Sequence, residues 1–294
     1  MSTARPRVLL ATCALLPQGE PGGDALVAAL AARGVDAAWA VWDDPSVDWA
    51  GADLVAVRAT WDYHLRPEAF LTWSRAVEDA TVLLNGADAM TWSSDKEYLL
   101  RLSAEVWTVP SVPVEVEDVV GGLRPAFERW GTLVVKPRVG ASGQGLVVAT
   151  GLEDPRLLGL TPGPWLAQPL VASVRTRGES SVVLVAGRPV AQVDKRPGSA
   201  GDGGDVRVHE EYGGTSVAVP VDPDAGALAR AAVEATQKLL GREETLDYAR
   251  VDLLEMDGML VVSEVELVEP GLYLDVVPAV ADAFAEHLVT RLAR

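Results

Sequence analysis

Two kinds of apolar spacing alternate through the first third of the chain, one typical of strands and the other typical of helices. The segments 24–34 and 66–80 have helical spacing, with Asp24 as the expected N-cap of the first and Pro67 in the first turn of the second. Four runs rich in apolar and β-branched residues predict strands: RVLLAT, VDAAWAVW, DLVAVR and TVLLNG. Strands separated by helices of this length predict a parallel, Rossmann-like sheet.

The rest of the chain carries hairpin patterns, which predict an α+β arrangement. Residues 92–105 form a short predicted helix that begins at a capping serine, Ser93 or Ser94. Residues 179–197 predict a hairpin that turns at Gly187–Arg188. Further predicted elements are a helix around LRPAFERWG, a strand in WLAQPL, a polar glycine loop at 198–214, a helix over 222–241, a hairpin over 247–267 and a helix near 278–292.

The segment VVKPRVGASGQGLVV places a lysine at the end of an apolar strand, followed by a loop of small residues. Such a loop exposes backbone N–H groups that can surround an anion. A Walker A loop has its lysine after the glycines, a dinucleotide loop opens a helix, and a nucleophile elbow needs glycine where Gln144 stands. The pattern predicts a flap over phosphates, and an ordinary glycine-rich hairpin is the alternative. The residues concerned are Lys136, Gly140, Ser142, Gly143 and Gly145.

Acidic residues interrupt the apolar strands of the last predicted hairpin. Asp252, Glu264 and Glu266 lie where a bare carboxylate is costly unless it is paired or bound to a metal. A two-residue turn at Asp257–Gly258 would point Glu264 away from Asp252, whereas a three-residue loop with a bulge would set them opposite each other. Only the second register makes a three-carboxylate cluster suited to Mg²⁺. The alternative is a solvated acidic face compensated by Arg250.

Polar and aromatic residues follow the third predicted strand. Ligands collect beyond the carboxyl ends of parallel strands, so Arg58 is a candidate to hold a substrate carboxylate. Trp61, Asp62 and Tyr63 are candidate walls of the same pocket, and a loop whose aromatic side chains cover the core is the alternative. Lys96, in the first turn of its predicted helix, opposes the helix dipole, which indicates an anion nearby.

Composition and charge exclude several classes of protein. The chain has 294 residues, of which 49% are hydrophobic and 23% charged, as in globular proteins with more than one compact unit. A formal net charge of −17 opposes binding to a nucleic-acid backbone. No apolar run reaches membrane-spanning length, and no signal-peptide pattern is evident. The single cysteine, Cys13, excludes an intramolecular disulfide, so we expect a cytoplasmic protein.

A lysine on a short helix, a lysine before a glycine hairpin and a terminal acidic hairpin, in that order, resemble the ATP-grasp superfamily. The resemblance covers most of the chain and is nearest to the glutathione-synthetase-like carboxylate–amine ligases. Four segments are similar to the branch with the cyclo-ligase of cycloserine biosynthesis: RATWDY, SDKEYLL, KRP and ELVEPGLYL. The resemblance implies an α/β fold that is α+β in its C-terminal part. It consists of a Rossmann-like domain over 1–92, a lid subdomain with the glycine flap over 93–168 and a catalytic domain over 169–294.

The resemblance also implies roles for individual residues. Lys96 and Lys136 would bind the ATP phosphates under the glycine flap, Gln168 and Leu170 would frame the adenine, and Glu179 would hold the ribose. The remaining implied residues are Arg196 and Arg207, which would steady the transferred phosphoryl group, and Asp252, Glu264 and Glu266, which would bind Mg²⁺.

The implied reaction activates a carboxylate as an acyl phosphate and joins it to an amine on a small, amino-acid-like substrate, with contacts expected from Glu269 to Leu274. Two positions depart from the pattern of many relatives, which have glutamate at Pro169 and asparagine at Glu266. Pro169 leaves the adenine contacts to the backbone and neighbouring residues. The sequence leaves open whether both reacting groups belong to one molecule, as in a cyclo-ligase, and whether the chain forms a homo-oligomer.

Two other classes of function are less consistent with the sequence. A non-catalytic nucleotide-binding regulator would have lost some of the site, yet Lys136, Arg196, Asp252 and Glu264 are all present. A nicotinamide-dependent oxidoreductase needs a short glycine-rich loop after its first strand, and the loop CALLPQGEPGGD is too long and lacks that spacing.

Overall fold

The strands in the described part of the chain form three separate sheets, which we call the N-terminal, middle and C-terminal sheets. A computed structural model describes residues 5–160, 163–198 and 205–294. Part of the polar glycine loop predicted at 198–214 lies outside these residues. Within them, no helix is long and apolar enough to cross a membrane.

The N-terminal sheet is parallel, as the sequence predicts. Its strands lie in the order β2-β1-β3-β4 and comprise β1 (Arg7–Thr12), β2 (Asp36–Val41), β3 (Leu54–Ala59) and β4 (Val82–Leu83). Helices α1 (Gly23–Ala32) and α2 (Pro67–Ala80) make the crossovers. Every residue of β3 is buried, as expected for a central parallel strand covered on both faces.

Helix α1 begins differently from the prediction. Asp24 lies in its first turn, and the residue before the helix is Gly22, whose φ is 73°. A Cβ atom at Gly22 would lie 2.4 Å from the backbone nitrogen of Asp275, so the approach of these two loops requires glycine. The loop after β1 is thereby held against a C-terminal loop that borders the site described below.

The middle sheet is antiparallel, with the strand order β5-β8-β6-β7. Its strands are β5 (Val112–Val114), β6 (Leu133–Pro137), β7 (Val147–Ala149) and β8 (Trp165–Pro169). Helix α5 (Val119–Trp130) covers it through the buried residues Leu123 and Ala126. Strands β6 and β7 pair on either side of the glycine segment, which confirms the predicted strand–loop–strand arrangement.

The C-terminal sheet is also antiparallel, with the strand order β11-β10-β9-β12-β13. Its strands are β9 (Glu179–Val185), β10 (Arg188–Arg196), β11 (Thr215–Val219), β12 (Tyr248–Met256) and β13 (Met259–Glu266). The turn between β9 and β10 consists of Ala186 and Gly187, with φ of 48° and 71°. It therefore lies one residue before the predicted turn at Gly187–Arg188.

Four helices join the sheets into one molecule: α3 (Gly86–Ser94), α4 (Tyr98–Leu102), α6 (Pro223–Leu240) and α7 (Ala279–Leu292). Tyr98 and Leu99 of α4 are buried in the core of α6 and the C-terminal sheet, although α4 lies in the segment predicted as lid. Phe284 and Leu288 of α7 pack with Leu10 of β1 and Leu26 of α1. The last helix thus completes the core of the first sheet.

The hairpin of β12 and β13 has a two-residue turn. It nevertheless pairs Asp252 with Glu264, which the sequence analysis expected only from a three-residue loop with a bulge. Asp257 and Gly258 have φ of 53° and 80°, and Met256 pairs with Met259. The register then shifts between Asp252 and Leu253, because Ser263 is an extra residue in β13. Asp252 therefore lies opposite Glu264, as the second of the two predicted registers requires.

Candidate active site

Two adjoining cavities lie where the three sheets meet. The first lies between the middle and C-terminal sheets, and we call it the middle-sheet cavity. The second faces the loops that follow β1 and β3, and we call it the N-terminal cavity. Both are bordered by the same charged and polar side chains: Lys96, Lys195, His209, Arg250, Glu264 and Glu266.

Two predicted lysines converge on one carboxylate at the boundary between the cavities. Lys136 Nζ lies 2.6 Å from Glu264 Oε1, and Lys96 Nζ lies 4.0 Å from Glu264 Oε2. Burial raises the pKa of Glu264, but Lys136 and Lys96 outweigh it and lower that pKa to about 2. Glu264 is therefore ionised at neutral pH, and two ammonium groups stand beside it.

Lys96 lies in a turn between α3 and α4, rather than in the first turn of one helix. Ser93 and Ser94, the predicted caps, are the last residues of α3, and their hydroxyls donate to the carbonyls of Val265 and Thr91. The predicted helix breaks at Asp95, whose side chain accepts a hydrogen bond from the Glu97 amide.

The loop between β6 and β7, residues 138–146, forms a wall of both cavities, and we call it the glycine loop. Ser142, Gly143 and Gly145 all have positive φ, of 52°, 63° and 74°. The Gly140 carbonyl accepts a hydrogen bond of 2.7 Å from Lys96 Nζ. A Cβ atom at Gly143 would lie 3.2 Å from the Arg207 side chain, so the loop closely approaches the C-terminal part of the chain.

The strand β8 supplies the far wall of the middle-sheet cavity. Gln168 is buried, and its side-chain amide donates to Ser111 Oγ at 2.9 Å. Leu170 also lines the cavity, but its backbone N–H donates to the Thr132 carbonyl at 3.0 Å, so this amide is already used. The wall is completed by a group of apolar side chains: Val109, Leu146, Val171, Val174, Val206 and Leu254.

Strand β10 directs Lys195 into the site and Arg196 out of it. Lys195 is 3% exposed, forms an ion pair with Glu179, and lies 3.5 Å from Asp252 Oδ1. Arg196, which the sequence resemblance selected, is exposed and lines neither cavity. Adjacent side chains of a strand point to opposite faces, and the buried face here already holds Val193.

Replacing Arg196 with alanine is expected to lower ATP turnover by less than about threefold, as for most exposed substitutions away from a site. Steady-state turnover of Arg196→Ala beside the wild type measures this. A loss of a hundredfold or more would mean that the arginine reaches the reacting phosphate after all.

Arg207 lines the middle-sheet cavity, as the sequence resemblance implies. Its guanidinium is ion-paired with Asp205 and stacked on the Tyr212 ring, with Cζ 3.4 Å from the ring centroid. His209, two residues further on, borders both cavities, and its Nδ1 is buried with no hydrogen-bond partner among the described residues. Burial and the nearby Lys195 lower the pKa of His209 to about 4, so the ring is neutral at neutral pH.

Arg250 lies at the centre of the acidic hairpin, although the sequence predicts it only as a counter-charge on a solvated face. Arg250 is 7% exposed, and its Nη2 lies 2.9 Å from Asp252 Oδ2 and 2.7 Å from Glu266 Oε1. Asp252 also accepts a hydrogen bond from Ser181. Burial raises the pKa of Asp252, but Arg250 and Lys195 outweigh it, so that pKa lies well below its usual range.

Glu266 differs electrostatically from the other two carboxylates of the hairpin. Burial raises its pKa to about 7 in spite of Arg250, and Asp252 and Glu264 add to the rise. In the described part of the chain, no group of three or more histidine, cysteine or acidic side chains is arranged to hold a metal ion. The predicted three-carboxylate cluster is therefore not preformed, and Asp252 with Glu264 is the pair of ionised carboxylates at the site.

Of the four candidate substrate residues at the carboxyl end of β3, namely Arg58, Trp61, Asp62 and Tyr63, two line the N-terminal cavity. The Trp61 indole donates to the Glu269 carbonyl at 3.1 Å, and Trp61 and Tyr63 both border the cavity. Asp62 does not border it, and its carboxylate accepts a hydrogen bond of 2.9 Å from the Trp42 indole. Three residues of the predicted contact segment from Glu269 to Leu274 border the same cavity: Glu269, Gly271 and Tyr273.

Arg58 is fully buried beneath the N-terminal cavity and does not line it. Its guanidinium lies 2.9 Å from Glu20 Oε1 and donates to the Pro270 carbonyl at 2.6 Å. Burial raises the pKa of Glu20 despite Arg58. Glu20 borders the cavity, so Arg58 orients a cavity carboxylate and a cavity loop and does not itself reach a substrate.

Replacing Arg58 with methionine is expected to lower the free energy of unfolding by about 3 kcal/mol, because Glu20 then remains as a buried, unpaired acid. Urea unfolding followed by circular dichroism measures this, and Glu20→Gln in the same chain should restore part of the loss. The exposed pair of Arg66 and Asp43 is the matched control, since Arg66→Met should cost less than about 1 kcal/mol. Equal costs at the two arginines would contradict the structural role of Arg58.

The chain is similar to known proteins over almost its whole length. A family model of the N-terminal domain of D-cycloserine synthetase DcsG matches residues 8–85. The cycloserine biosynthesis protein DcsG of Streptomyces lavendulae is 31% identical over 274 residues, which are 88% of this chain and 90% of that protein. The crystal structure of D-cycloserine synthetase DcsG has a TM-score of 0.87 at 29% identity, over 97% of this chain and 99% of the other.

More distant structures share the fold. The D-alanine–D-alanine ligase of Bacillus anthracis has a TM-score of 0.70 at 14% identity, over 99% of this chain and 98% of the other. The resemblance and the fold class predicted from the sequence are thereby confirmed. The chain belongs to the DcsG family of ATP-grasp ligases, and it is an ATP-dependent ligase that forms C–N bonds.

Proposed function

We propose that the protein uses Mg²⁺-ATP to activate the carboxylate of a small, amino-acid-like substrate as an acyl phosphate and then joins it to an amine. The observation that carries the proposal is the convergence of Lys96, Lys136 and Lys195 beside Asp252 and Glu264. In a chain with a net charge of −17, this concentration of buried cations at one place is suited to a polyphosphate.

The nucleotide fits the middle-sheet cavity. Its apolar wall would hold the adenine next to Gln168 and Leu170, and Glu179 at the start of β9 would bind the ribose hydroxyls. The triphosphate would then extend towards Lys136 and Lys96, under the backbone N–H groups of the glycine loop. The ammonium groups that now neutralise Glu264 and Glu179 would be shared with the phosphates.

The donor set fits Mg²⁺, which binds oxygen ligands and in nucleotide sites uses one or two carboxylates together with phosphates and water. Asp252 and Glu264 lie opposite each other on neighbouring strands, and both are ionised at neutral pH. They would hold the ion, with Glu266 next to them on β13. When bound, Mg²⁺ neutralises charge on the transferred phosphoryl group.

The side chains at the boundary of the cavities suit both halves of the reaction. A substrate carboxylate oxygen attacks the γ-phosphorus, ADP leaves, and Lys195, Arg207 and Arg250 stabilise the charge that develops. The amine nitrogen then attacks the acyl carbon, inorganic phosphate leaves, and the amine proton passes to solvent. The glycine loop covers this point and keeps water from the acyl phosphate.

The substrate fits the N-terminal cavity, which carries both signs of charge. Its lining contains Arg250 and Lys195, which suit a carboxylate, and Glu20 and Asp275, which suit a protonated amine. Trp61, Tyr63 and Tyr273 add aromatic side chains to the lining of the same cavity.

A second candidate is the intramolecular form of the same reaction, in which one molecule supplies both the carboxylate and the amine. The identity of 31% with the cycloserine biosynthesis protein DcsG favours this form. It would make the protein a cyclo-ligase of antibiotic biosynthesis.

The test is a screen for ADP release by the purified protein with Mg²⁺-ATP and a panel of amino acids and their O- and N-substituted derivatives, with mass spectrometry of the products. Stimulation by one compound and a product smaller by one water would establish cyclisation. Dependence on a pair of compounds would establish intermolecular ligation. Binding of ATP with no release of ADP under any pair would favour a non-catalytic nucleotide-binding protein.

A further inference from the structure

We propose that Arg138, with Asp95, is a positioning residue that joins the Lys96 turn to the glycine loop so that both present a fixed surface to the nucleotide phosphates. The inference rests on the proposed function for the identity of that ligand. Arg138 lines neither cavity and lies just before the glycines, at the base of the loop.

Four hydrogen bonds connect Asp95 and Lys96 with residues 138–140. The Lys96 N–H donates to the Arg138 carbonyl at 2.9 Å, and Lys96 Nζ donates to the Gly140 carbonyl at 2.7 Å. The Arg138 guanidinium donates to both carboxylate oxygens of Asp95, from Nε at 2.9 Å and from Nη2 at 2.7 Å. The loop therefore holds Lys96 at its backbone and at its ammonium group, and Arg138 fixes the residue next to it.

The Arg138 guanidinium is also the local counter-charge for several acids. Its side chain is 13% exposed and reaches Asp95, Glu97 and, at 3.5 Å, Glu115. Burial raises the pKa of Asp95, but Arg138 outweighs it, so that pKa lies below its usual value. A planar fork with two parallel bonds to a carboxylate sets geometry as well as charge, which a lysine cannot do.

Geometry and charge predict different results for three substitutions. Arg138→Gln removes the positive charge and the two parallel hydrogen bonds to Asp95. Arg138→Lys keeps the charge and loses the two parallel bonds. Asp95→Asn also loses these bonds, and it removes a negative charge near Lys96. If Arg138 acts by position, all three weaken phosphate binding. If it acts by charge alone, Arg138→Lys is neutral and Asp95→Asn strengthens binding.

The experiment is calorimetric titration of the full chain with ADP and Mg²⁺, and separately with adenosine. We expect ADP affinity to fall about tenfold in Arg138→Gln, and less in Arg138→Lys and Asp95→Asn, a typical coupling within one hydrogen-bond network. Adenosine affinity should stay within twofold, roughly, because adenosine has no phosphate. In a Lys96→Met background, Arg138→Gln should have a smaller effect on ADP affinity than it has in the wild type, because only the contribution of the glycine loop remains.

The matched control is Arg156, which pairs with Asp154 by a similar fork in the part of the middle-sheet unit away from the cavities. Arg156→Gln should leave ADP affinity unchanged. Equal ADP affinity in wild type and Arg138→Gln would overturn the inference, as would tighter ADP binding by Asp95→Asn or equal losses for ADP and adenosine. A wild-type chain that binds no ADP would instead overturn the proposed function, and this inference with it.

Discussion

Replacing Lys136 with methionine is expected to lower ATP turnover by about a thousandfold, the upper range for loss of one preorganised charge at a reaction centre. Lys136 is 7% exposed, and its ammonium lies 2.6 Å from Glu264, where it would bind the phosphates in the proposed reaction. Methionine keeps the length of the side chain, so the loss reports charge rather than volume. Steady-state ADP release with saturating Mg²⁺-ATP measures the effect.

The matched control for Lys136 is Lys238, which is ion-paired with Glu105 on the surface and has 69% of its side chain exposed. Lys238→Met should retain turnover close to that of the wild type. Circular dichroism should show the same fold in both variants, since Lys96 remains near Glu264 after the change at Lys136. Turnover within tenfold of wild type in Lys136→Met would remove this lysine from the mechanism.

The pair Asp252→Asn and Glu264→Gln is expected to lower turnover by about a thousandfold or more, and to flatten its dependence on Mg²⁺. Loss of a metal that stabilises a developing phosphoryl charge costs several kcal/mol, and each 1.4 kcal/mol, roughly, is tenfold in rate. Both carboxylates are ionised and lie opposite each other, so the amides remove two negative charges from one place. Titration of turnover with Mg²⁺ at fixed ATP measures the effect.

Glu255 is the control for the metal prediction, because it lies on the same strand as Asp252 but pairs with Arg177 and borders neither cavity. Glu255→Gln should leave the Mg²⁺ titration unchanged. A double variant at Asp252 and Glu264 with the wild-type Mg²⁺ midpoint would place the ion elsewhere.

The N-terminal sheet was predictable because its strands are continuous apolar runs between amphipathic helices. β1 was predicted at 7–12 and is found at Arg7–Thr12, since full burial of a parallel strand leaves a local signal in the sequence. The start of α1 was not predictable in the same way. Gly22 is required by contact with Asp275, more than two hundred residues away, and a distant contact leaves no local pattern.

The acidic hairpin shows why a register cannot be read from the turn alone. Asp257–Gly258 is a strong signal for a two-residue turn, and the turn is present. The bulge at Ser263 then reverses the face of every residue that follows it in β13, so Glu264 joins Asp252. Nothing in the sequence around Ser263 distinguishes a bulge from regular pairing.

The sequence contains a signal that Lys195 faces the site, although the resemblance implied a role for Arg196. Ala191 and Val193 alternate with polar residues in β10, and the same parity continues to Lys195. Apolar parity therefore predicts that the lysine faces inwards, as the structure shows. Arg250 carried a comparable signal, because it is two residues from Asp252 and shares its face of β12.

Because α7 packs against β1 and α1, the core of the N-terminal unit cannot be complete until α7 has been synthesised. Strand β1 and helix α1 leave the ribosome more than two hundred residues before Phe284 and Leu288, which pack with Leu26. Until α7 has been synthesised, the nascent N-terminal unit exposes an apolar face of the kind that makes folding intermediates prone to aggregation. A polypeptide that ends before residue 279 thus has a first domain with an exposed apolar face, which cellular proteases can recognise.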